Sequence, residues 1–456
     1  MPHSTATIEN VLEINPIAGR NVLARAKDFA WVSIVVGAIA MAVTYPGRTH
    51  GLGMVTEPLL NDFGLNTDDG RVLFASLGFW ATILGAAFCF PVGWLLDRVG
   101  QRWVLFGNLI LLGLSVLLLS RSTSLGMLFV GLLLTRGLGQ AALSVVSITI
   151  VSNAHVQARL GLAMAFYAML GMPMHLVLIG FVGWSLNTAH LDWRTVWAMV
   201  GVALVFLSLT AWCLPTKSIL KTASNQDNEF DSAHPLAGGY TLWQALQTPA
   251  FWLFSVTISI WGMIYAGTAL FNQDIFRERG FDSTLYFKIL SYSTIVALAS
   301  KLFFGWLVNY VRLTHLLSVC LLLSSISLAG LPFATQTWHA YAYGTVLGIA
   351  SGAVALLFFA AWGKLYGHGE LGQIQGVAQM MTVFASAAGP LVFSLSKRMT
   401  SSYTMIFFVF AGTLAAMAVI AFLTPSPSPP SPSPLSPSPL SPSPLSPCPL
   451  PNNRTI

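Results

Sequence analysis

Apolar runs of roughly 18 or more residues recur along almost the whole chain, and each is long enough as a helix to cross about 30 Å of hydrocarbon. At that depth there is no water to satisfy a peptide group, so each segment must bond its own backbone, and a bundle of helices is the solution. The alternating polar–apolar period of a membrane barrel is absent. Charged residues make up only 8% of the chain and its mean hydropathy is +0.70, against about 25% charged residues in soluble domains. A water-facing surface cannot be built from that composition. The predicted class is therefore an all-α membrane protein in contact with the lipid bilayer.

Boundaries read from hydropathy give twelve spans. The first six cover about 29–61, 71–95, 103–121, 124–152, 159–186 and 194–214; the second six cover about 249–273, 284–311, 313–332, 337–366, 372–397 and 403–424. This divides the chain into an N-terminal tail (1–28), a six-helix bundle (29–214), a polar central loop (215–248), a second six-helix bundle (249–424) and a tail (425–456). The last is a Ser-Pro-Leu repeat, expected to stay extended and without a fold. The first span has two readings. It ends at Pro46-Gly47, leaving an outer loop, or it continues past a proline kink through THGLGMVTEPLL. The kinked continuation is preferred, because membrane helices tolerate proline where neighbours satisfy the freed carbonyl.

The chain also repeats itself. GWLLDRVGQR begins at Gly93, and GWLVNYVRLT, beginning at Gly305, is a degraded copy. Gly93, Trp94, Leu95 and Val99 recur as Gly305, Trp306, Leu307 and Val311, whereas Asp97 has become Asn309 and Arg98 has become Tyr310. Two related halves, each with this turn between apolar spans, are the mark of carriers whose halves rock around a central site. No paired carboxylates of defined spacing, zinc motif, phosphate loop or nucleophile elbow appears, so no enzyme, cofactor or metal centre is expected. The net charge of +6 is spread over loops and forms no nucleic-acid patch. Cys89, Cys213, Cys320 and Cys448 are too scattered for a disulfide framework.

The first copy resembles the signature of the major facilitator superfamily, carried here by Gly93, Asp97, Arg98, Gly100 and Arg102. The resemblance implies a cytoplasmic turn between the second and third helices whose charges latch the two bundles in one conformation. It also implies that both termini are cytoplasmic, in the cell membrane, a point on which the nearly even division of Lys and Arg between the loops is silent. Smaller matches resemble the monocarboxylate and oxalate–formate branch. They are Arg159, Gly161, Leu162 and Ala163 at the start of the fifth span, DWRTVW from Asp192, and TPAFWLF from Thr248.

A charge inside a span costs several kcal/mol and so marks a pathway or an internal partner. Arg136, with Gly137, Gly139 and Gln140, fits the fourth-helix arginine and glycine run of the superfamily; it is expected to bind an anionic substrate, organise a proton relay, or bond helix carbonyls. Lys301 on the eighth span resembles the eighth-helix cation of monocarboxylate carriers, which engages the substrate carboxylate. That family often has an aspartate one turn earlier, where this chain has Ala297. Arg48 and His50 would reach the cavity if the first helix is kinked. Glu57, the one carboxylate placed within a span, and His175 are the candidates for proton coupling. Gln379, Asn272 and Gln273 would bond a substrate or a neighbouring carbonyl, and the Trp and Tyr residues are expected to anchor and pack. Together these imply a secondary transporter of a small monocarboxylate or dicarboxylate, by proton symport or exchange. Efflux of amphipathic compounds, and less so a non-transporting sensor on the same fold, are the alternatives.

Overall fold

The computed structural model describes residues 31–153, 157–214, 240–366 and 371–424. The N-terminal tail, most of the central loop and the Ser-Pro tail lie outside the described residues. Eleven helices among those described are long and apolar enough to cross a membrane, and a shorter apolar one precedes them. In chain order they are α1 (Trp31–Gly47), α2 (Asp68–Leu96), α3 (Gln101–Ser120), α4 (Leu125–Val151), α5 (Met169–Asn187) and α6 (Trp193–Cys213), then α7 (Pro249–Glu278), α8 (Ser283–Leu307), α9 (Leu313–Phe333), α10 (Thr337–Tyr366), α11 (Gln373–Thr400) and α12 (Thr404–Leu423). The expected fold is present: two bundles of six helices in pseudo-symmetric arrangement.

The first span does continue beyond Pro46, although as a broken path. A single 3₁₀ turn at Tyr45–Gly47 carries the proline at its start, and short helices Thr49–Gly53 and Thr56–Asp62 follow. The break needs glycine. A β-carbon on Gly47 would collide with the carbonyl of Thr135, and one on Gly53 with the carbonyl of Ala269. The first of these seats α1 on α4; the second seats it on α7 across the two bundles. Small residues at such crossings allow the backbone approach that gives membrane helices their van der Waals contact.

Elsewhere the helix ends follow their local chemistry. Thr67, Ser124, Thr248 and Asp282 accept backbone N–H bonds at the starts of α2, α4, α7 and α8, satisfying donors that a helix leaves open. Gly100 turns α2 into α3 at φ +97°, a conformation that glycine adopts without strain. Buried serines tie helices together where no water competes. Ser318 and Ser325 of α9 donate to Ala418 and Ala411 carbonyls of α12 at 2.8 and 2.7 Å, and Ser300 of α8 donates to the Ile349 carbonyl of α10 at 2.7 Å.

Candidate binding cavity and the charged lock beside it

A cavity of about 350 Å³ lies between the bundles, within the size range of small-ligand sites. The broken part of α1 supplies Tyr45, Arg48 and His50; α5 supplies His175, and α8 supplies Lys301. Helix α7 contributes one face, with Trp261, Tyr265, Thr268 and Asn272 following one another at helical spacing. Tyr286 of α8 and Tyr343 of α10 also line it. No aspartate or glutamate is among the lining residues.

Each of the basic side chains is held differently. Arg48 donates from Nε to Thr44 Oγ1 at 2.7 Å and from Nη2 to Ser144 Oγ at 3.0 Å, so α1 and α4 fix its guanidinium. His175 Nδ1 lies 2.7 Å from the Gly171 carbonyl one turn back, beside Pro173 in the same helix. Its ring meets Tyr45 at 5.2 Å between centroids, and His50 sits edge-on to both Tyr45 and Tyr265. Tyr265 in turn stacks on Trp261 at 5.0 Å and 14°. Lys301 makes no hydrogen bond or ion pair with any other described residue.

Arg136 is elsewhere. Helix α4 widens to a π-helical stretch over Arg136–Ala142, a form that concentrates at functional sites. There Arg136 is buried and donates to Thr49 Oγ1 at 2.8 Å and Gln140 Oε1 at 3.1 Å. It lines a separate, much smaller pocket with Thr82 and Pro390. Of the substrate-binding candidates, Arg48, His50 and Lys301 line the large cavity, whereas Arg136 does not, and Gln140 accepts from Arg136. The glycine run explains the displacement, since Gly137 and Gly139 press α4 against Phe88 of α2 and against the Gly47 backbone of α1.

Glu57 is likewise outside the cavity lining, in a charged lock between the bundles. Arg71 of α2 forks onto its two oxygens at 2.7 and 2.9 Å and also reaches Asp274 of α7 at 3.3 Å. Arg277 bridges Asp274 at 2.6 Å and Glu57 at 3.1 Å. Lys397 of α11 pairs with Asp274, and Tyr403 donates to the same carboxylate at 3.0 Å. Arg71, Glu57 and Asp274 are all buried. Around the lock, Gln273 donates to the Met54 carbonyl at 2.8 Å, Ser283 to Asn187 Oδ1 at 2.6 Å, and Arg398 pairs with Asp69 at 2.7 Å. These last three, with Arg71–Asp274 and Arg277–Glu57, join the first six helices to the second six. The seventh span was expected to stop at 273, with Asp274 in a loop; the helix instead runs to Glu278 and buries that carboxylate.

The repeated turn lies at the opposite end. Arg102 donates to the carbonyls of Trp212 and Leu214 and rests over the Trp212 ring, a contact within the first bundle. Arg98 is exposed and lies 4.2 Å from the centroid of the Trp94 ring. The side chain of Asp97 lies outside the described residues, as do those of Arg159, Gly161 and Leu162. In the degenerate copy, Lys364 of α10 donates to the Val308 carbonyl at 2.8 Å and to Asn309 Oδ1 at 3.1 Å.

The sequence profile of the Major Facilitator Superfamily matches residues 31–309 and again 268–452. This chain belongs to the Major Facilitator Superfamily. Solved structures of that architecture share its fold. A D-xylose–proton symporter superposes with a TM-score of 0.67 at 13% identity, over 87% of this chain and 97% of that one. The nucleoside transporter NupG gives 0.66 at 13%, over 86% and 98%. A bacterial homologue of the human lysosomal transporter Spinster, in an inward-facing, unoccupied conformation, gives 0.62 at 14%, over 86% and 97%. No curated protein matches by sequence. The family and fold make this superfamily member a transporter.

Proposed function

We propose that this transporter moves a small organic anion by alternating access. One observation carries the reading: Arg48, His50 and His175 from the first six helices and Lys301 from the second six line one cavity that contains no carboxylate. In a low-dielectric site the two cations among them, Arg48 and Lys301, attract an anion strongly, and the desolvation of both partners offsets part of the gain. An anion that touches both bundles supplies the counter-charge and draws them together. With the termini cytoplasmic, as the family resemblance implies, the lock closes the outer end and the cavity faces inward. Reopening outward then requires the cross-bundle pairs to part and the Asp97 turn to engage.

The test is uptake of radiolabelled carboxylates into proteoliposomes, with and without an inward proton gradient or internal counter-substrate. Loss of a charge-assisted contact is worth about 1.5–3 kcal/mol, so Lys301→Ala is expected to reduce uptake roughly 10–100-fold. Arg136→Ala, outside the cavity, is expected to reduce it less. The two driving conditions separate symport from exchange. The aromatic lining of Tyr45, Trp261 and Tyr265 favours a second reading, efflux of amphipathic compounds. Extrusion of an apolar dye without any carboxylate uptake would establish that reading instead.

A further inference from the structure

The cavity wall is sorted by depth. Counted at roughly 1.5 Å per residue from the lock-side ends of their helices, Lys301 lies about 27 Å in and Trp261 about 26 Å. Ser144, which accepts from Arg48, lies about 28 Å in on α4, so both permanent cations sit at one end. Nearer the lock come Tyr265 at about 20 Å and His175 at about 18 Å, then Leu347, Ile179 and Leu290 at about 15, 12 and 11 Å. The hydroxyls at this level turn away from the space. Ser293 and Thr294 both donate to the Leu290 carbonyl of their own helix, at 3.0 and 2.8 Å. Asn272, about 9 Å in, closes the lock-side end with its carbonyl oxygen enclosed by protein.

The middle of the wall is a belt of rings that the cavity reaches. Trp261 stacks on Tyr265, His50 meets Tyr265 edge-on, and Tyr45 joins His50 to His175, so five rings run in contact. Trp261, Tyr265, His50 and His175 are only half-buried, as are Arg48 and Lys301, and all six line the cavity. Tyr45, Tyr286 and Tyr343 are by contrast buried. A carboxylate without a body would fill the cationic end and leave these rings and the hydrocarbon beyond them facing water. An apolar body attached to it covers that wall, and a ring gains the edge and face contacts that aromatic groups prefer.

From this we propose that the substrate is a carboxylate with an apolar, ring-bearing body. The carboxylate meets Arg48 and Lys301, and the ring packs into the belt of Trp261, Tyr265, His50 and His175. This class rests on the anion reading above and narrows it. The aromatic lining that would suit an amphipathic compound becomes, here, the seat for the body of the anion itself.

Calorimetric binding to the purified full-length protein in lipid nanodiscs, with empty nanodiscs as the blank, compares 3-phenylpropanoate, acetate and 3-phenylpropanol. The first carries charge and ring, acetate the charge alone and the alcohol the body alone. Burial of one aromatic body tightens binding about 10–100-fold, so 3-phenylpropanoate is expected to bind at least about tenfold more tightly than acetate. Loss of the charge-assisted contact should weaken the alcohol by a similar factor, about 10–100-fold. Acetate binding as tightly as 3-phenylpropanoate, or more so, would overturn the ring-bearing body and leave the anion reading in place. The alcohol binding as tightly as the acid would overturn the anion reading and this proposal with it; so would failure of the folded protein to bind either carboxylate.

Trp261→Leu and Tyr265→Leu keep an apolar side chain and remove the ring, which separates a ligand-binding role from a structural one. Affinity for 3-phenylpropanoate should fall about 2–10-fold in each, the worth of an aromatic contact beyond burial alone. Acetate affinity, which any distortion of the cationic end would lower, should not move. Equal losses for the two ligands, or no loss of 3-phenylpropanoate binding in either variant, would remove the ring belt from the site and overturn the proposal.

Discussion

Two groups of cations, placed in the same bundle interface, have opposite surroundings. In the lock, Arg71, Arg277 and Lys397 share Glu57 and Asp274, and Tyr403 completes the set. In the cavity, Arg48 is braced only by hydroxyls and a thioether, and Lys301 pairs with no described residue. A cation with its counter-ion built in holds a structure together. One without it leaves the counter-charge to come from outside the chain. Electrostatics alone thus separates the part of the interface that closes the protein from the part that binds.

The sharpest way to break this contrast is to remove one charge from each group and follow stability. Asp274→Ala leaves Arg71 and Lys397 facing each other without their shared carboxylate, and breaking a buried ion pair costs about 3–5 kcal/mol. Its melting temperature in detergent should fall clearly, and a cysteine label placed near the lock should become accessible. Lys301→Met removes a cation that has no partner, and should leave the melting temperature unchanged or raised while anion binding is lost. Equal destabilisation by the two would mean that Lys301 is structural.

A second, smaller difference concerns the two copies of the repeated turn. Asp97→Asn is expected to slow transport several-fold more than Asn309→Ala, because the first copy keeps the Asp-Arg charges whereas Asn309 only accepts from Lys364. Transport rates in proteoliposomes at matched expression decide this, and equal losses would mean that the turns act alike. The smallest effect is expected from Arg398→Ala. Its pairing with Asp69 is exposed on both sides, and such pairs contribute about 0–1 kcal/mol. A melting temperature close to wild type would mark the boundary between the buried lock and its solvated rim.

Much of this fold is written in local sequence. Hydropathy found the spans, and the cost of a polar or charged group in hydrocarbon singled out Arg48, His50, His175 and Lys301, which line one cavity. Pairing across bundles is a different matter. Glu57 and Asp274 lie on helices far apart in sequence, and a cluster reading Asn-Gln-Asp with Arg277 close behind looks like a loop because its neutralising partners, Arg71 and Lys397, are on other helices. The role of Arg136 stays open in the sequence because hydropathy gives depth along a helix and not the direction it faces; the π-helical turn and the glycine contacts set that direction. The aromatic lining was missed for the same reason. Trp261 and Tyr265 have the spacing of ordinary packing residues, and only the neighbouring helices determine what lies in front of them.

The lock is assembled so that it can come apart cheaply. Glu57 keeps Arg71 on its own bundle, and Asp274 keeps Arg277 and Lys397 on the other. What separation severs is the pair of crossed contacts, Arg71 with Asp274 and Arg277 with Glu57. Each side therefore departs with a dowry of counter-ions, and no bare carboxylate is stranded in hydrocarbon. The arrangement behaves as a toggle between shared and private partners, firm when closed and free of an electrostatic trap when open.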